Sequence, residues 1–259
     1  MATPPTPVQQ YRLPRLSTRR RLGGVRGCSH EAIAMGTLSY AGAKRFYDRL
    51  GSRQDWQAFY EDPAVDGMIA HSRLEAAGAV CEFGCGTGRL AARLLAGVLP
   101  AKATYLALDL SDEMVRLATA RLAPWAGRAR VLQTEGPPRI PHGDAGFDRF
   151  LSTYVLDLLS DDDIAALLAE AHRVLRPGGL LCLVGLTFGT TPWSRAVTAL
   201  WQWVHKRRPQ WLGGCRPVAV NRYLDLRSWQ PVHRGVRNSY GICSEILVAA
   251  RRDQPIGDA

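Results

Sequence analysis

An apolar run, Val80-Cys81-Glu82-Phe83, breaks into Gly84-Cys85-Gly86-Thr87-Gly88 and resumes at Arg89-Leu90, with Leu90, Leu94, Leu95 and Val98 at helical spacing. This pattern predicts a strand, a tight loop and a helix. Glycine adopts positive φ at little cost and lets a ligand lie against the backbone, while the first N–H groups of the following helix face the loop. Such a loop is a cradle for a cofactor. Its spacing argues against a dinucleotide: in G-x-G-x-x-G the third glycine would fall on Arg89, whereas here the glycines stand at 84, 86 and 88 with an acid at Glu82.

Further residues follow in order. Tyr105-Leu106-Ala107-Leu108 reads as a second strand ending in Asp109, about 20 residues beyond the glycine loop, where an acid can accept both hydroxyls of a ribose. Leu110 follows; Ser111 is placed to cap the next helix, with Asp112 and Glu113 at its positive end and Met114 just inside it. Glu135 follows the apolar stretch Ala129-Arg130-Val131-Leu132. Gly146 to Tyr154 and Leu175-Arg176-Pro177-Gly178-Gly179-Leu180-Leu181 come next, and it is the family resemblance below that implies a fourth strand in the first and a turn into a fifth in the second. Ser160 with Asp163 caps a helix whose inner face is Ile164, Leu167, Leu168, Ala171, Val174 and Leu175.

Over residues 78 to 186 this ordered set resembles the class I S-adenosylmethionine (SAM)-dependent methyltransferases, whose signature is E/D-x-G-x-G-x-G. The resemblance implies a Rossmann-like α/β fold: a seven-stranded, mostly parallel sheet with a C-terminal antiparallel hairpin and helices on both faces. It implies SAM as cofactor, held by Glu82, Gly84, Cys85, Gly86, Thr87, Gly88, Asp109, Leu110, Met114, Glu135 and Ser152. Glu135 stands where that family usually has an Asp against the adenine amino group. The chain is also similar to the ubiquinone/menaquinone-biosynthesis methyltransferases and to small phospholipid N-methyltransferases, a likeness of pattern rather than of a diagnostic motif.

The 259 residues suffice for one sizeable core. Residues 1–34 read as a disordered basic tail, since Arg12, Arg15, Arg19, Arg20, Arg21 and Arg26 all precede the first acid, Glu31; a targeting segment or a misplaced start at Met35 are the other readings. The domain is expected over 35–252, with cover helices at 35–77 (Ala43 to Leu50, Trp56 to Tyr60, and Ala64 to Ala76 with Pro63 at its start), the SAM-binding core at 78–186, a substrate lid at 187–226 and the closing hairpin at 227–252. A short tail, 253–259, follows. Much of the net charge of +10 sits in the leading segment, so the domain itself makes no case for nucleic acid. The cysteines lack Cys-x-x-Cys spacing and read as buried free thiols, which fits a cytoplasmic setting; the histidines show no metal spacing.

Methyl transfer is an in-line displacement, so alignment carries most of the catalysis and a base is needed only where the acceptor must lose a proton. The candidate bases are Tyr154, Asp157, His205 and His142. Tyr47, Trp56, Tyr60 and Tyr154 are the candidate substrate wall. After the fourth strand stands Ser152-Thr153-Tyr154-Val155 rather than the Asn/Asp-Pro-Pro-Tyr or Pro-Cys of nucleobase methyltransferases, which favours a small apolar or amphipathic acceptor such as a quinone, a phenol or a lipid amine. Trp193, Trp201, Trp203 and Trp211 beside His205-Lys206-Arg207-Arg208 suit a peripheral membrane contact through 193–211 as well as a lid. A catalytically silent SAM-binding partner subunit and an RNA-modifying methyltransferase are the alternative readings.

Overall fold

The computed structural model describes residues 37–252; the expectations for the leading segment, for Cys28 and for the last residues lie outside that range. Among the described residues seven strands form one sheet in the order β3-β2-β1-β4-β5-β7-β6. The strands are β1 (Ala79–Phe83), β2 (Thr104–Asp109), β3 (Ala129–Gln133), β4 (Phe147–Thr153), β5 (Leu175–Leu186), β6 (Trp229–Ser239) and β7 (Ile242–Arg251). Pairing is parallel from β3 through β5, and β7 runs antiparallel to both β5 and β6. The sequence expectation of a parallel sheet closed by an antiparallel hairpin therefore holds. At the hairpin tip Tyr240 and Gly241 both take positive φ, 55° and 87°, the twist that a tight two-residue connection requires.

Among the described residues six α-helices flank the sheet: α1 (Tyr40–Leu50), α2 (Ala58–His71), α3 (Arg89–Gly97), α4 (Asp112–Leu122), α5 (Asp161–Val174) and α6 (Pro192–Arg207). One core layer joins Met68, Leu94 and Leu122 to the sheet residues Val80, Ala107 and Val184; the other joins Ile164, Leu167 and Ala171 to Cys81, Phe150 and Leu181. Fully buried strands such as β1 are uniformly apolar apart from Glu82, as sheets covered on both faces demand. Cys81, Cys85, Cys182 and Cys243 are buried free thiols, as the sequence implies.

The cover segment differs in detail from its sequence reading. Gly51–Gln57 is a 3-10 turn, and α2 runs from Ala58 through Pro63, which lies inside the helix instead of at its start. Proline removes one helix hydrogen bond there, and burial of Ala64, Val65 and Met68 against the sheet holds the helix together. Among the described residues no helix is long and apolar enough to cross a membrane.

Candidate active site

At the end of β1 the backbone N–H groups of Gly84 and Cys85 both donate to the Leu108 carbonyl, at 2.8 and 2.9 Å, which folds the chain sharply beside the tip of β2. Gly84, Gly86 and Gly88 have φ of 78°, 54° and 75°. A Cβ at Gly84 would stand 2.2 Å from Val155 Cγ2, and one at Gly88 would press on Ala118 of α4 at 3.1 Å. The first and third glycines are therefore required by close approach as well as by backbone conformation.

Asp109 lies across this loop. Its carboxylate accepts from the Gly86 N–H at 2.8 Å and the Ser111 N–H at 2.9 Å, one bond to each oxygen. A carboxylate has about four lone-pair sites, so Asp109 retains acceptor capacity. Burial pushes Asp109 above the usual aspartate range, opposed by the backbone N–H groups of Ser111, Gly86 and Leu110. The helix that follows is capped by Ser111, which accepts from Met114 N–H and donates to Asp48 at 2.6 Å, tying α1 over the site.

A cavity of about 400 Å³ opens here. It falls within the range of roughly 300–1,000 Å³ typical of small-molecule sites. Phe83, Gly84, Asp109 and Leu110 lie on one wall; Thr134, Gly136 and Pro138 on a second; Tyr40, Tyr47, Tyr154, Val155 and Leu158 on a third. A smaller cleft of about 60 Å³ shares Gln54, Gly84, Thr153 and Tyr154 with it and is lined further by Glu61, Glu82, Cys85, Gly86, Thr87 and Arg89. Glu82 is buried and accepts from the Tyr105 hydroxyl at 2.8 Å; burial raises its carboxyl to about 7, and the tyrosine bond partly offsets that. Burial likewise lifts Glu61 to about 7 against the pull of Arg89.

Tyr47, Gly84, Asp109, Leu110 and Tyr154 thus meet at the main cavity, and Glu82, Cys85, Gly86 and Thr87 at the cleft. Thr87 is already engaged: its hydroxyl donates to Asp55 at 2.6 Å and accepts from Arg121 at 2.6 Å. Other candidates stand apart. Glu135 is exposed beyond the end of β3, and its neighbours Thr134 and Gly136 line the wall instead; the Thr134 N–H donates to the Asp109 carbonyl at 2.8 Å, which turns the inward position one residue earlier than the sequence suggests. Ser152 is buried and gives its hydroxyl to the Phe83 carbonyl at 2.9 Å, leaving the alternate strand position, Thr153, to face the cleft. Met114 is buried in the core at the start of α4.

Trp56 is exposed, and Tyr60 packs edge-on behind Tyr154 with ring centroids 5.9 Å apart, so neither lines the cavity. His205 is buried at the inner face of α6 against the Gly214 carbonyl at 3.1 Å, which removes it from the site; burial lowers its pKa. His142 lines a separate groove beside β2 and β3. Asp157 is fully buried one shell behind the cavity. Neither of its oxygens has a well-formed hydrogen bond, the Cys215 thiol lies beside it, and burial pushes it up to about 7. Cys215 in turn meets the hydroxyl of Tyr47, which lines the cavity.

Sequence reasoning missed Gln54, on the 3-10 turn over the glycine loop. It borders both cavities, and its side-chain oxygen is buried without a partner. Tyr40 and Asp163, hydrogen-bonded to each other on the cavity wall, were likewise not legible, because the contact joins residues 123 positions apart.

A methyltransferase-domain family matches residues 80–179, the segment from β1 to the start of β5 that builds this site. Residues 80–179 thus match a methyltransferase domain, on a sheet with the strand order of the class I SAM-dependent fold. The malonyl-acyl-carrier-protein O-methyltransferase of Hahella chejuensis is 32% identical over 150 residues, 58% of this chain and 49% of the relative. The ubiquinone/menaquinone biosynthesis C-methyltransferase of Geobacter sp. (strain M21) is 28% identical over 144 residues, 55% of this chain and 57% of the relative. The chain thus spans about half the length of these curated relatives. The crystal structure of the cyclase SpnF superposes with a TM-score of 0.63 at 15% identity, covering 84% of this chain and 97% of that one, which shows the shared fold. The domain's cofactor is SAM, and the residues present fit it. Gly84 borders both cavities and Gly86 the cleft, Asp109 presents a carboxylate on the cavity wall, and Glu82 offers a buried carboxyl at the cleft.

Proposed function

We propose that the chain transfers a methyl group from SAM to a small, apolar or amphipathic acceptor, such as a quinone, a phenol or a lipid amine. The observation that carries this reading is the cavity at the tips of β1, β2 and β4, where a glycine loop and Asp109 adjoin a wall of Phe83, Tyr47, Tyr154, Val155 and Leu158. Bound SAM supplies an electrophilic methyl. Asp109 accepts the ribose hydroxyls, Glu82 faces the methionine amino group, and Gln54 closes the loop from above. Tyr47 and Tyr154 stand on the acceptor side.

Asp109 and Asp163 put negative charge on the main cavity's wall. That favours a neutral or cationic acceptor over a carboxylate one, and so parts this chain from relatives named for malonyl-acyl-carrier protein. An acceptor that must lose a proton has a route through Tyr47 and Cys215 to Asp157, whose raised carboxyl is poised near neutral pH.

The test is turnover of quinols, phenols and amino lipids with labelled SAM, followed by the pH dependence of kcat/KM. The wild-type profile is expected to rise through about pH 7 as Asp157 ionises, and Asp157→Asn to lose that limb while keeping SAM affinity. SAM binding without turnover of any such acceptor would instead make the chain a silent SAM-binding partner. The same substitution reads out in stability. A native carboxyl raised from 3.8 to about 7 holds a proton that the unfolded chain has released, so stability falls as pH rises between those values and is flat above them. Asp157→Asn removes its share of the slope, at most about 1.4 kcal/mol per pH unit in thermal or denaturant melts.

A further inference from the structure

Helix α6 has two unlike faces. Inward, Ser194, Thr198 and His205 are buried, and Trp201 donates its indole N–H to the Cys215 carbonyl at 2.9 Å. Outward, at alternating spacings of three and four, stand Trp193, Ala196, Leu200, Trp203 and Arg207. Trp193, Leu200 and Trp203 are 68%, 62% and 53% exposed, far more than large apolar side chains on a helix need to be. Trp211, just beyond the helix, is 72% exposed.

The polar part of this face carries one sign of charge. Arg195, Lys206, Arg207 and Arg208 lie on or beside α6, which contains no Asp or Glu. Arg207 covers the Trp203 ring with its guanidinium 4.2 Å from the centroid, and Arg208 stands 5.8 Å from that of Trp211. Each cation thus lies over the edge of an apolar surface, the arrangement by which arginine reaches a headgroup while the indole enters the acyl boundary.

The surface continues off the helix. Trp193 packs on Gly241 at the hairpin tip, next to Tyr240, which is 77% exposed. Tyr240 meets Phe59 at 5.6 Å between centroids, Phe59 meets Tyr60 at 5.2 Å, and Tyr60 meets Tyr154 of the cavity wall at 5.9 Å. An aromatic series therefore runs from the exposed ridge to the methyl-transfer cavity.

We infer that the outer face of α6, with Trp211 and the hairpin tip, docks on a membrane surface rich in anionic lipid. The occupant is chosen by charge together with shape. Residues 1–36 of the same chain hold six arginines against one glutamate and would repel the patch, as would a second copy presenting the same basic face. An anionic bilayer satisfies both the cations and the indoles. The aromatic series would then bring an amphipathic acceptor from the lipid to Tyr154; that part alone rests on the acceptor class proposed above.

The experiment is flotation of the full chain with vesicles of phosphatidylcholine, with and without phosphatidylglycerol, at low and high salt. The chain is expected to float with the anionic vesicles only, and less at high salt. A Lys206→Ala, Arg207→Ala, Arg208→Ala variant should lose about fivefold in partition per charge removed. A Trp193→Ser, Leu200→Ser, Trp203→Ser variant should stop floating while keeping the wild-type melting transition. Failure of the wild type to float with either vesicle, or flotation that neither variant weakens, overturns the inference. A wild-type dimer that the tryptophan variant splits would also overturn it, by showing that a second copy covers the face. Vesicle binding together with no turnover of any lipid-borne acceptor would retire the acceptor reading and leave the docking intact.

Discussion

The glycine-loop side and the aromatic side of the cavity are built by different means. The glycine-loop side is made of residues close in sequence whose backbone is fixed locally: three glycines at positive φ, two N–H groups on one carbonyl, and Asp109 clasped by the Gly86 and Ser111 N–H groups. The aromatic side is assembled from distant pieces: Tyr40 of α1 on Asp163 of α5, Tyr47 against Cys215, and Tyr60 behind Tyr154. A site of the first kind is rigid and intolerant of change. One of the second kind can be remodelled at modest cost, which suits a domain whose relatives are named for unlike acceptors.

The largest effect expected from this contrast is at Gly84. Gly84→Ala forces a side chain into a left-handed conformation and against Val155, at a cost of about 3 kcal/mol in melting experiments or an equivalent loss of SAM affinity. An unaltered variant would mean that the loop is as adaptable as the opposite wall. Next, Asp109→Ala should weaken SAM binding by about 1 to 3 kcal/mol in calorimetry, through loss of charge-assisted bonds to the ribose.

Glu82 gives a smaller effect that depends on pH. A cation bound beside a carboxyl raised to about 7 draws off its proton, so SAM affinity should climb with pH up to about 7 and level off above, with proton release visible in buffers of different ionisation enthalpy. Glu82→Gln should bind about tenfold more weakly at pH 8 and show a flatter profile. Smallest of all is Glu135: because it is exposed outside the cavity, Glu135→Ala should leave SAM affinity within about 0.5 kcal/mol of wild type.

The same contrast explains how much was legible in the sequence. The first strands and the positions of Gly84 and Asp109 follow from local rules, in which glycine spacing, strand periodicity and caps such as Ser111 act within a few residues, while the full sheet and its hairpin came from the family resemblance that those residues carry. Glu135 was misplaced because the turn after β3 brings Thr134 inward, a shift of one position that a register depending on the Thr134 to Asp109 bond decides. Trp56 and His205 were misread because an aromatic or a histidine in a cover segment has no sequence mark for which way it faces. Gln54 lies 30 residues before the loop that it covers, on a 3-10 turn held by Asp55 to Arg121 at 2.7 Å, a contact that exists only once the fold is made.

The most direct test is calorimetric titration of the full chain with SAM and S-adenosylhomocysteine, alongside Asp109→Ala and with NADH as control. The account predicts micromolar binding of both adenosyl ligands, near about −8 kcal/mol, weakened in the variant and absent for NADH. Binding of NADH as tight as that of SAM, or adenosyl binding indifferent to Asp109, would contradict it.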